Sequence, residues 1–360
     1  MYDLWLRISQ HQHYATIIFG TKCLVASIVL VSGLLIGVGK SGYPLSPESL
    51  YDAMIKEEFV LDDLHTSSIQ TKSLNDLLAM SPTDEWFARD WAHYFFELDT
   101  AGHHSAGDNV TSDQWTTLYN QTCQQYQPIC SKLVFHGDRL PKDKFIYTIL
   151  SAYFATRIDQ SLAPSHQLFP NLHSLTLRSQ VSTNKSDPLC FRERRGCADH
   201  HTVMLNISLL PSYAEFVHVL VHEIAGHTVD LGVIKGISRE LSDEYREFGN
   251  RVFSVDDASL GFYQLSWQGE TVRKKGARMN EFCSLYGMTN MFEDFAECAL
   301  MFKNHNEYFR ILARSNRTMA KKYQYFANLF GNSPIITHSP WAQHVGDDRD
   351  ARVRDLTKIY

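Results

Sequence analysis

The sequence predicts an α+β fold that is predominantly helical, with a transmembrane helix near its start. Three observations lead there. Apolar residues recur at helical spacing through much of residues 47–158. Leu175, Leu177 and Val181 alternate with polar residues, as do Val203, Leu205 and Ile207, and a period of two marks strands. Tyr213, Phe216, Val217, Leu220, Val221 and Ile224 then return to one apolar helical face.

The 360 residues can bury a sizeable core, with 44% hydrophobic and 12% aromatic residues. The formal charge is −6 and the Lys and Arg residues are scattered, so nothing suggests a nucleic-acid footprint and no nucleic-acid partner is expected. The chain contains neither repeats nor low-complexity tracts.

A short N-terminal tail (1–22) precedes an uncharged apolar run over residues 23–39, from Cys23 to Gly39. That length is at the lower edge for a spanning helix, and Lys22 can snorkel to extend it. We read it as a membrane anchor. A cleaved signal peptide and a buried core helix are the alternatives. Arg7 and Lys22 ahead of the span, against Lys40 just after it, place the N-terminus inside and the body outside the cytoplasm. A bacterial inner-membrane protein facing the periplasm is the first expectation. The eukaryotic secretory pathway is the second, from Asn-x-Ser/Thr sequons at Asn109, Asn120, Asn184, Asn206 and Asn316.

Cysteine spacing fits export. Cys123 with Cys130, and Cys190 with Cys197, bracket short polar loops and are the candidate disulfides. Cys283 and Cys298 form a third pair or stay as buried thiols. A four-cysteine zinc site is the sharper alternative, but the spacing is wide for one.

Ser41–Pro47 is a linker, and residues 40–168 form a helical N-terminal region. Trp86, Trp91, Tyr94, Phe95 and Leu98 make an aromatic stripe whose plain reading is core. Strands follow near 175–181 and 203–207. Ser212 with Glu215 reads as a capping box opening the next helix. Residues 238–253 read as polar helix, 263–267 as a short strand, and 306–330 as helix. The polar tail, 334–360, reads as surface, with a protein partner there as an open alternative.

At the end of the patterned helix stands His222-Glu223-Ile224-Ala225-Gly226-His227. A catalytic zinc takes three protein ligands, an open position for water, and a nearby base. In the common zinc-protease helix the histidines are four apart, on one face. Here they are five apart. A regular helix would set them about 140° apart, so a π-bulge, or unwinding at Gly226, is required for both to reach one ion. His218, one turn earlier, is expected to have a supporting or surface role, and His200 and His201 are assigned none.

The hexapeptide resembles the HExxxH form of the zinc motif found in the dipeptidyl peptidase III family. Tyr286-Gly287-Met288-Thr289-Asn290-Met291-Phe292-Glu293-Asp294-Phe295-Ala296-Glu297 is similar to the third-ligand segment of anthrax lethal factor and related gluzincins. Together the resemblances cover about 80 residues. They imply a zincin-like catalytic domain over residues 169–333 and one Zn2+ per chain, held by His222, His227 and Glu293. They make Glu223 the general base, Tyr286 the helper at the substrate carbonyl, and Glu297 a partner that orients a ligand histidine. Each has a plain alternative. Glu293 can be only a helix cap, with Asp294 or Glu297 as ligand, and Tyr286 can be a packed aromatic. The strand near 203–207 is expected to line the cleft and pair with an extended peptide.

The expected function is a membrane-anchored, exported zinc metallopeptidase acting on a peptide or protein substrate. The rivals are an assembly factor on the same scaffold with little turnover, and a zinc hydrolase of a non-peptide, cell-wall amide.

Overall fold

The computed structural model describes residues 72–84, 86–100, 110–180, 194–247, 251–336 and 355–358. The apolar run at 23–39 and Cys190 lie outside them. Among the described residues no helix is long and apolar enough to cross a membrane.

Helices α1 (Phe87–Thr100), α2 (Ser112–Gln125) and α3 (Pro141–Ser161) build the first layer. Thr111 caps α2 in a full capping box with Gln114. Pro141 starts α3, where its missing N–H costs nothing. Residues Phe145 to Ala152 of α3 are all buried, so this helix is enclosed rather than amphipathic. Trp91 packs edge-on to Phe145 at 5.0 Å and to Trp115 at 6.1 Å, so Trp91 and Phe95 of the aromatic stripe are core, whereas Trp86 is exposed. A Cys123–Cys130 disulfide clips the end of α2 to the turn that follows.

A strand unseen in the sequence, β1 (Leu133–His136), joins β2 (Ser174–Arg178), β3 (Gly196–Ala198) and β4 (Thr202–Asn206) in one sheet. The order is β1-β2-β4-β3, with β3 the antiparallel strand. Leu175, Leu177, Val203 and Leu205 point into the core, as their alternation predicted. Because β1 pairs with β2, this sheet spans the expected boundary at 168. Residues Gln70–Tyr360 form one compact unit.

Ser212 caps α4 (Tyr213–Val221), accepting from the Glu215 N–H. The Glu215 side chain does not complete a capping box. It is bonded instead by Arg195. Helix α4 runs directly into a π-helical segment, His222–Val233.

Two expectations fail beyond it. Residues 238–253 carry a two-stranded ribbon, β5 (Leu241–Glu247) and β6 (Arg251–Ser254), not a helix. Tyr245 and Phe253 are buried there, and the Tyr245 hydroxyl donates to the Trp267 carbonyl at 2.8 Å. Residues 263–266, read as strand, end the helix α5 (Ser259–Ser266), and only Trp267–Gly269 is extended, as β7 paired with β8 (Val272–Arg273). Phe262 and Tyr263 pack into one aromatic core with Phe295, and a short apolar run carries no period to separate helix from strand. Helices α6 (Met291–Asn304), α7 (Asn306–Ser315) and α8 (Arg317–Leu329) close this half.

The tail also departs from its reading as surface. A turn at Leu356–Lys358 returns to the core, and Leu356 is fully buried.

Candidate metal centre

The five-residue spacing of the histidines is resolved by the backbone. In π geometry the repeat is i to i+5, so His222 and His227 stack on one face as an i, i+4 pair would in an α-helix. Their rings lie 5.1 Å apart. Gly226 is not unwound. It is where the π segment meets α6, since a Cβ there would stand 2.5 Å from Ala296 Cβ.

That close approach sets Glu293 against the histidines. Asn290 caps α6, accepting from the Phe292 and Glu293 N–H groups at 3.0 and 2.9 Å. The Glu293 side chain is thereby free to turn inward. Its Oε2 lies 3.2 Å from His222 Nε2 and 3.4 Å from His227 Nε2. The ligand atoms of His222, His227 and Glu293 all lie within 4.8 Å of one another, and this group can hold a metal ion. Glu293 Oε2 is buried yet makes no aligned hydrogen bond, an orphan that a shared cation would satisfy. Two imidazoles and one carboxylate are the donor set of a zinc site with an open position.

The surroundings support the ligands. Glu297, one turn beyond Glu293 and fully buried, has Oε1 3.0 Å from His222 Nδ1. A proton on Nδ1 leaves the Nε2 lone pair for a metal. Burial disfavours a charged His222, but Glu293 and Glu297 outweigh it and hold the ring well above its ordinary pKa. Burial opposes charge on His227 too, and Glu293 again raises it. Glu293 is conversely held well below its usual range by the two rings, despite burial.

Glu223 is buried beside them, and burial pushes its carboxyl up, the direction a general base needs. The Tyr286 hydroxyl donates to Glu293 Oε1 at 3.1 Å. Burial and that carboxylate keep the phenol protonated. Tyr286 is half-exposed at the site rather than packed in the core.

Asp294, the alternative ligand, points away. Its carboxylate takes the Lys322 ammonium on both oxygens, at 2.9 and 2.6 Å, and the Trp267 indole N–H at 2.9 Å. His218 is buried 4.7 Å from His305, not at the surface, and burial holds it neutral. Cys283–Cys298 is a disulfide that ties the Tyr286 turn to α6. Cys197 is disulfide-bonded, and Cys190, its expected partner, lies outside the described residues.

No protein-family model, no curated protein and no solved structure matches this chain. The functional reading therefore rests on the two motifs and on this geometry.

Above the three ligands opens a cleft of about 360 Å³, walled in part by Arg194, Gly196, Glu223, Tyr286, Phe292 and Thr357. The strand at its rim is β3. The expected one, β4, is interior, between β2 and β3. Gly196 of β3 lies directly over the base, since a Cβ there would come 2.7 Å from Glu223 Oε1. In the sequence β3 was hidden inside a charged loop. Nothing in the sequence marks residues 355–358 as belonging to the site.

Proposed function

We propose that this protein is a zinc-dependent metallopeptidase that hydrolyses peptide bonds in an extended substrate. The observation that carries the reading is the convergence of His222, His227 and Glu293 beneath an open cleft, with Glu223 and Tyr286 beside them. Bound there, zinc would supply a Lewis acid that brings water towards ionisation near neutrality and polarises a carbonyl.

The protein's own residues do the rest. Glu223 takes the proton of the attacking water and delivers it to the leaving amine. Tyr286 donates its hydroxyl to the carbonyl oxygen as charge develops there. Glu297 holds the His222 ring in one tautomer. The rim strand β3 offers its backbone edge to an extended peptide, and the missing Cβ of Gly196 lets that strand lie close against Glu223. The disulfides Cys123–Cys130 and Cys283–Cys298 support an oxidising, extracytoplasmic compartment.

The test has two stages. Elemental mass spectrometry on the chelator-free protein should find about one zinc per chain, lost in His227→Ala and Glu293→Ala. An unstructured protein and isolated cell-wall material are then offered in parallel. Cleavage of the first, abolished by chelation and in Glu223→Gln, supports the reading. Release of amines from the second alone overturns peptidase action in favour of the cell-wall amide. No zinc in a well-folded protein overturns both.

A further inference from the structure

Beyond the three ligands and Glu223, one feature of the centre comes from an unexpected part of the chain. Glu297 is fully buried, and its oxygens have different partners. Oε1 faces His222 Nδ1 at 3.0 Å. Oε2 accepts from the backbone N–H of Leu356, 59 residues later, at 3.0 Å. Among the described residues no Lys or Arg reaches this carboxylate. A buried carboxylate is costly unless its oxygens are bonded, and the Leu356 N–H gives Oε2 an aligned hydrogen bond, while Oε1 has only its close approach to the His222 ring.

The turn that supplies the N–H is held at Asp355 and at Leu356. The Asp355 carboxylate accepts from the Thr357 N–H at 3.0 Å and from Arg195 Nη2 at 2.5 Å. Arg195 also bonds Glu215 in the first turn of α4, and it immediately precedes β3. His305 hydrogen-bonds the Leu356 backbone, and the Leu356 side chain is fully buried. Asp355 and Thr357 face the cleft. One arginine thus joins the metal helix, the rim strand and the C-terminal turn.

We propose that residues 355–358 are a strap that completes the metal centre, with the Leu356 N–H positioning Glu297 and, through it, His222. This rests on the metal-centre reading above. A strap that only covered the core would need the Leu356 side chain and not its N–H. A positioning strap needs the N–H. The two are separable, because alanine and proline at 356 both remove the buried leucine side chain, but only proline also removes the N–H.

The experiment compares Leu356→Ala, which keeps the N–H, with Leu356→Pro, which does not, in the full chain. Zinc affinity is read by competition with a chromophoric chelator, and the zinc-free thermal midpoint is read alongside. Both variants should lose the stability of the buried leucine side chain, and Leu356→Pro more, because it leaves Glu297 Oε2 unbonded. Leu356→Pro should bind zinc about ten- to a hundredfold more weakly than Leu356→Ala. Glu297→Gln should weaken zinc similarly, and combining it with Leu356→Pro should add little, because both act on one contact. Equal zinc affinity in the Ala and Pro variants, or full additivity with Glu297→Gln, overturns the proposal. Should Leu356→Pro fail to fold, Arg195→Met releases the strap without touching Glu297. Unchanged zinc affinity in that folded variant overturns it too. A wild type that binds no zinc marks failure of the metal reading itself.

Discussion

Gly226 and Ala296 touch where no larger pair would fit. A Cβ on Gly226 would lie 2.5 Å from Ala296 Cβ and 2.6 Å from its Cα. This contact seats α6 against the π segment, and Glu293 and Glu297 flank it on α6 as His222 and His227 flank it on the other side. Gly226→Ala should therefore destabilise by about 1–3 kcal/mol through overpacking. That outweighs the gain of up to about 1 kcal/mol that alanine brings to an unhindered helix. Zinc content should fall with it. A variant with a raised melting temperature and full zinc would show that the helices have room to spare.

Glu223 and Tyr286 should separate from the ligands in their effects. Neither belongs to the ligand group, so Glu223→Gln and Tyr286→Phe should both retain zinc. Glu223→Gln should lower kcat by about a hundredfold or more, as loss of a general base does. Tyr286→Phe should lower kcat about a hundredfold with a small change in KM, because its hydrogen bond strengthens only as charge develops. An effect of Tyr286→Phe confined to KM would make it a binding residue instead.

The Cys283–Cys298 bond closes a loop with a sequence separation of 15, and the Tyr286 turn lies inside it. Replacing both cysteines by serine should cost about 3 kcal/mol, through the freer unfolded chain. Urea denaturation measures this directly. If the tie also positions Tyr286, kcat should fall further than zinc occupancy does.

Asp230, buried in the π segment, should make the zinc-free protein less stable as pH rises. Burial pushes its carboxyl up to about 7, while the Tyr263 hydroxyl donates to it at 2.6 Å. The unfolded chain releases this proton near the ordinary carboxyl value, and the folded chain keeps it until about pH 7. Between those values the folded state binds more protons, so stability declines with rising pH and levels off above about 7. Asp230→Asn should flatten that decline and be the more stable protein at mildly alkaline pH. Urea midpoints for both proteins on either side of pH 7 decide it. Parallel pH profiles would show that Asp230 titrates normally.

Much of this architecture was legible in the residues. The alternation of Leu175 with Leu177, and of Val203 with Leu205, marked strands because one face of each is buried. The face from Tyr213 to Ile224 marked the metal helix for the same reason. Ser212 announced a helix start through its capping side chain. Signals of this kind are local, set by a few neighbouring residues. Residues 238–253 misled because charged residues between apolar ones obscure the period. Residues 263–266 misled because so short a run carries no period to separate helix from strand.

The sequence by itself determined the candidate ligand types, their order, and a conflict: two histidines five apart cannot share an ion on a regular helix. The tertiary structure decided how that conflict is resolved, with a π-helical backbone packed through Gly226 onto Ala296. It also decided that β3, not β4, forms the rim, and that Leu356 reaches Glu297. Motif spacing records what neighbouring residues can do together. Which strand is left at an edge, and which distant N–H fills a buried oxygen, depends on packing between segments far apart in the chain. No local pattern encodes that.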